Sequence, residues 1–156
     1  MRFVLVFFLI FTGCATSAQT GKVVAVKDGD TIEMMMGKKA VRIRLFGVDS
    51  PEKGQPFGEK ARQYTADLCY GKVVRLQQKD KDQYGRIVGE IFLPDGSSLN
   101  ARLIAAGFAW QYTEFSKDPE WAKAQEQAKL EKKGLWADKH PVAPWTWRKQ
   151  HRRSAR

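Results

Sequence analysis

The chain has 156 residues, enough for one domain with its own core and few for a second. Its 43% hydrophobic and 28% charged residues are those of an ordinary soluble globular protein, which sets disordered and fibrous classes aside. The net charge of +10 is not ordinary and points to polyanions, either nucleic acid or an anionic membrane.

That charge is uneven along the chain. Residues 139–156 carry six bases and no acid, whereas residues 19–138 carry 20 bases against 17 acids. At the other end, Met1-Arg2 is a short basic start, and Phe3 to Phe11 are nine consecutive apolar residues followed by small ones. This is the pattern of a secretory signal peptide, and nine apolar residues are too few to cross a bilayer. Two processing sites compete. Thr12-Gly13-Cys14 resembles a lipobox that would place a lipid on Cys14 and anchor the protein to the envelope membrane; Thr16-Ser17-Ala18 would instead be cut after Ala18. Either way the protein is expected to be exported. With Cys14 acylated or removed, Cys69 has no cysteine partner.

The first third reads as an antiparallel meander. Gly21–Lys27 and Ile32–Met36 flank Asp28-Gly29-Asp30, a hairpin signal, and Gly37-Lys38-Lys39 turns the chain into a third strand over Val41–Phe46. There Val41, Ile43 and Leu45 alternate with Arg42 and Arg44. Gly47 permits a bend and Pro51 stops the ladder, so Asp49, Ser50 and Glu52 emerge just past the strand end. Gly58–Leu68 has helical spacing at Ala61, Tyr64 and Leu68. Strands over Lys72–Gln77 and Ile87–Leu93 follow, separated by a polar loop that ends in Tyr84-Gly85-Arg86.

Ser98 caps a helix to Ala106, and Asp118-Pro119 starts another that Gly134 ends. Pro141, Pro144, Trp145 and Trp147 are expected to interrupt regular structure before the basic tail. Five strands and three helices, with no βαβ array, predict an α+β fold in which the strands close a small barrel. The expected organisation is a leader over 1–18, one domain over 21–137 and a Pro- and Trp-containing basic tail over 138–156.

Three separated places carry the polar residues that suit one chemistry. Asp30 follows the first strand, Arg44, Asp49 and Glu52 cluster at the end of the third, and Arg86 opens the fifth. Calcium takes about six to eight hard oxygen ligands in irregular geometry. Asp30, Asp49 and the Ser50 carbonyl could supply three, with water and a substrate phosphate completing the shell. Arg44 and Arg86 offer forked hydrogen bonds to phosphate oxygens. Soft-metal chemistry and a Ser-His-Asp triad lack their residues, because Cys69 is isolated and both histidines, His140 and His151, lie in the tail.

These motifs resemble those of the staphylococcal nuclease family. The resemblance rests on Asp28-Gly29-Asp30-Thr31, Arg44 through Glu52, Asp82 through Arg86, Asn100 through Gly107 and Ala124 through Trp136, and spans about residues 21–137. It implies a five-stranded oligonucleotide-binding (OB) barrel with three helices that cleaves DNA and RNA with Ca²⁺. By the same resemblance, Asp30, Asp49 and Ser50 would hold the cation. Glu52 would be the base that activates water, and Arg44 and Arg86 would grip the scissile phosphate. Tyr84, Trp110 and Tyr112 would lie beside the nucleotide. Trp110 departs from the tyrosine usual in the family, and Ser50 from its usual threonine. A monomer is expected. Two other readings stay open: a barrel of this kind that binds nucleic acid without cutting it, and an envelope-anchored structural lipoprotein.

Overall fold

The computed structural model describes residues 19–154, with side chains to His151. The apolar leader, Cys14 and the cut after Ala18 lie outside the described residues.

Five strands close a barrel in the order β1 (Gln19–Asp28), β2 (Thr31–Met36), β3 (Lys39–Leu45), β6 (Ile87–Phe92) and β5 (Val73–Lys81), with β5 returning to β1. All pairs are antiparallel except β3 with β6, where Ile43 faces Ile87 and Leu45 faces Gly89. The alternation read from the sequence turns one side chain in two inward, so Ile32, Met34, Ile43, Leu45, Val74, Leu76 and Ile91 fill the interior. β1 pairs with both β2 and β5, and register shifts along its pairing with β2 mark the bulges that bend it between them.

Helix α1 (Gly58–Cys69) packs against β1 with Ala61, Thr65 and Cys69 buried. In α2 (Leu99–Ala105), Ser98 Oγ accepts the Ala101 N–H at 3.3 Å. In α3 (Pro119–Leu130), Asp118 accepts the Glu120 N–H at 2.8 Å with Pro119 at the first turn. Both caps stand where the sequence puts them. Two short strands, β4 (Val48–Asp49) and β7 (Trp110–Gln111), pair outside the barrel and carry the residues after the Gly47 bend.

One expectation is overturned. Residues 144–154 form a fourth helix, α4 (Pro144–Ser154), rather than an irregular tail. Pro144 is its first residue, where a missing N–H breaks no helical bond and the fixed φ favours the turn.

Candidate active site

The site begins at the β1–β2 turn, a two-residue hairpin in which Asp28 pairs with Thr31. Thr65 Oγ1 on α1 donates to the Gly29 carbonyl at 2.6 Å and holds the turn against the helix. Asp30 is thereby buried, and its Oδ2 accepts the Ser50 N–H at 2.6 Å. On β3, Arg44 stands across from Thr31, so its side chain reaches the same place. Its Nη1 pairs with Asp30 Oδ1, and its Nη2 donates to Asp49 Oδ1 at 2.8 Å. The bend that brings Asp49 back uses Gly47 at φ +67°, where a Cβ would also come within 2.5 Å of Ser116 Cβ. Asn100 of α2 secures that bend by donating to the Phe46 carbonyl at 2.9 Å. The β1–β2 turn, β3 and β4 thus meet around one guanidinium.

Negative charge is in excess there. Burial, then the neighbouring Asp30, push Asp28 up to about 7. Asp49 is also raised, chiefly by burial, against the pull of Arg148 and Arg44. Burial disfavours the charge on Arg44, but Asp30 and Asp49 outweigh it and hold the guanidinium more firmly protonated than usual. Asp28 is a member of this cluster that sequence reasoning left as turn chemistry, because an Asp before Gly in a hairpin is common for its own sake.

Arg44 also lines a cavity of about 500 Å³ with Arg86, Tyr84, Tyr112 and Arg148. Arg86 is aimed by Asp82. The Arg86 Nε donates to Asp82 Oδ2 at 2.6 Å, while Asp82 Oδ1 accepts the backbone N–H groups of Tyr84 and Arg86 at 3.0 and 2.9 Å. The Arg86 guanidinium lies 5.7 Å from the centre of the Tyr84 ring, which is exposed. Tyr112 is brought to the cavity by its N–H, which donates to the Gly47 carbonyl at 2.9 Å.

Trp110 is not brought to the cavity. It packs edge-on against Trp136 at 4.3 Å and against Trp145 at 5.7 Å, in a second apolar cluster with Ala128 and Leu135. Asp30, Asp49, Ser50 and Glu52 are outside the cavity lining; Asp30 and Asp49 bind Arg44, which lines it.

Glu52 projects from the loop beyond β4. Its backbone N–H donates to Gln55 Oε1 at 3.0 Å, and its carboxylate accepts from Arg148 Nη1 at 2.5 Å. Arg148 also spans Asp49, with Nη1 3.1 Å from Oδ1 and Nη2 2.9 Å from Oδ2. Sequence reasoning missed Arg148. The one available signal was local: on a helix begun by Pro144, Trp145 and Arg148 stand three apart and share a face.

Among the described residues, no three His, Cys, Asp or Glu side chains converge as a ready-made metal shell. The donors present are nonetheless of the type a hard cation takes. Asp28, Asp30, Asp49 and Glu52 put four carboxylates around two guanidiniums, Arg44 and Arg148. When all four are ionised, that imbalance matches one divalent cation.

Comparison with known proteins agrees with the geometry. Residues 42–138 match the family model described as Staphylococcal nuclease homologue. A relative from Escherichia coli bearing the name Uncharacterized endonuclease is 45% identical over 128 residues, 82% of this chain and 84% of its own length. A protein of the same name from Haemophilus influenzae is 38% identical over 149 residues, 95% of this chain and 83% of its own. One from Shigella flexneri named Micrococcal nuclease is 35% identical over 139 residues, covering 83% and 80%. With a family model matched over more than half its length, a closed five-stranded barrel and arginines and carboxylates gathered at the ends of its strands, the chain belongs to the staphylococcal nuclease family.

Proposed function

We propose that this protein is a Ca²⁺-dependent endonuclease that hydrolyses phosphodiester bonds of DNA and RNA. The observation that carries the reading is Arg44. It faces a cavity shared with Arg86 and two tyrosines on one side and binds two buried carboxylates on the other. That juxtaposition suits a phosphate held between guanidiniums and a cation.

Asp30 and Asp49, with the Ser50 carbonyl, are the residues that would hold the cation. Bound there, it would supply Lewis-acid charge against the phosphoryl oxygens. The protein's own groups do the rest. Arg44 and Arg86 donate hydrogen bonds to the non-bridging oxygens, where negative charge grows as the nucleophile approaches. Glu52 takes a proton from water as the water oxygen forms its bond to phosphorus. The opposite P–O bond breaks, its electron pair leaves with the ester oxygen, and that oxygen gains a proton from solvent. Tyr84 and Tyr112 offer ring faces to bases without regard to sequence, which suits a single strand of either nucleic acid. Trp110 is outside that platform, packed on Trp136 and Trp145.

In this reading the protein acts as a monomer exported from the cytoplasm, with residues 1–18 as its leader. Cys14 either carries a lipid that holds the protein to the envelope or is removed.

The test is degradation of single-stranded DNA and of RNA by the wild type and by Glu52→Gln, with calcium and with a calcium chelator. Cleavage by the wild type should require calcium, and Glu52→Gln should lose turnover while still binding DNA. Full activity in chelator would reject the cation, and wild-type turnover by Glu52→Gln would reject its role as base.

A further inference from the structure

We propose that Arg148 is a positioning residue of the active site, delivered by α4 from the end of the chain to tie Glu52 to Asp49. The inference rests on the nuclease reading above.

A general base must be held to within a fraction of an ångström of its working place. Glu52 is badly placed to hold itself there. Its side chain is 38% exposed, and among the described residues Arg148 is the one hydrogen-bond partner of its carboxylate. Asp49 is the opposite case, with a side chain 1% exposed and fixed also by Arg44. The Arg148 fork grips both oxygens of Asp49, and Nη1 of that fork also donates to Glu52. A partly exposed carboxylate is thereby referenced to a buried one. A lysine ammonium lacks the planar fork that makes this possible.

Arg148 is itself held by contacts with the catalytic region. Trp145, one turn earlier on the same helical face, stacks on Tyr112 with ring centres 5.3 Å apart and planes 9° apart. Gln55 works in both directions: its Oε1 accepts the Glu52 N–H, and its Nε2 donates to the Val142 carbonyl at 2.7 Å. The loop that bears the base and the segment that enters α4 are therefore joined twice, through Gln55 and through Arg148.

The same contact has a consequence for the cation. Arg148 takes one acceptor site on each oxygen of Asp49 and sets a positive charge beside it, so it competes electrostatically with a cation for that carboxylate without having to leave it. Removing Arg148 is thus expected to tighten calcium binding and to slow the chemical step. A purely structural contact would not produce that opposed pair of changes.

The experiment measures kcat and KM on single-stranded DNA at saturating calcium, together with calcium affinity by calorimetry. Wild type, Arg148→Ala, Arg148→Lys, Glu52→Gln and the Glu52→Gln/Arg148→Ala double variant are compared, with melting temperature as a check on folding. Arg148→Ala should lose about 10²-fold in kcat with little change in KM, typical of a misplaced catalytic group. Arg148→Lys should recover part of that loss. Arg148→Ala should cost nothing further in the Glu52→Gln background, because it acts through Glu52. A kcat within about twofold of wild type, or higher, would overturn the inference and make Arg148 an inhibitory counter-ion. Additive losses in the double variant would overturn it too. If the wild type does not cleave at all, the nuclease reading falls, and the calorimetry still decides whether Arg148 competes for Asp49. Tighter calcium binding in Arg148→Ala would uphold that contact, and unchanged binding would overturn it.

Discussion

Replacing Asn100 with leucine should unfold the protein well below its normal melting temperature and weaken the site it supports. Asn100 is fully buried at the start of α2. Its Nδ2 donates to the Phe46 carbonyl at 2.9 Å and weakly to the Gly89 carbonyl at 3.4 Å, while its Oδ1 accepts the Ile91 N–H at 3.2 Å. The Gly89 carbonyl keeps the Phe46 N–H at 2.8 Å, so Asn100→Leu strands two groups, the Phe46 carbonyl and the Ile91 N–H. Leucine has the same branched heavy-atom skeleton and leaves no cavity, and its bulkier methyls add any overpacking to the same loss. Two buried groups without partners, at about 1.5 kcal/mol each, give a loss of about 3 kcal/mol. For a chain of this size that lowers the melting temperature by about 9 °C. Circular dichroism melts and urea titrations of the two proteins read this directly. Turnover per folded molecule should fall as well, because the Phe46 carbonyl anchors the bend that leads to Asp49. A melting temperature within about 2 °C of wild type would refute the assignment of Asn100 as the clamp between β3, β6 and α2.

Gly29→Ala places a Cβ 2.6 Å from Ser50 Cβ and 2.9 Å from Ala61 Cβ, so it should destabilise by about 1–3 kcal/mol through overpacking. Because Ser50 must move to relieve the clash, its bond to Asp30 should weaken and the calcium midpoint in calorimetry should rise; an unchanged midpoint would mean that the turn does not shape the cation site. Arg86→Lys keeps the charge but loses the guanidinium fork and its Nε bond to Asp82, and should cost about 10²-fold in kcat. A rate near wild type on single-stranded DNA would make Arg86 a surface charge.

Local chemistry in the sequence determined most of the barrel and part of the site. The alternation at Val41, Ile43 and Leu45, the Asp-Gly hairpin and the caps at Ser98 and Asp118 act over a few residues, and each appears where it was expected. Asp30, Arg44 and Asp49 could be named because each stands at the end of a strand, and the resemblance to a known family joined them. Tertiary structure alone decided three matters. Closure of the barrel by β1 with β5 and β3 with β6 depends on pairings between distant segments that no local pattern encodes. The family resemblance places Trp110 beside the nucleotide, but its partner Trp136 lies 26 positions on and draws it into a separate apolar cluster. The last matter is Arg148, 96 residues from Glu52 and 99 from Asp49. Its neighbouring prolines and tryptophans read as an interruption and its charge as part of a basic tail. Folding made the proline a helix start, laid Trp145 on Tyr112 and put one guanidinium between two carboxylates. Such a contact exists only when the barrel has already gathered the carboxylates, since an ion pair between distant segments has no local counterpart in the sequence.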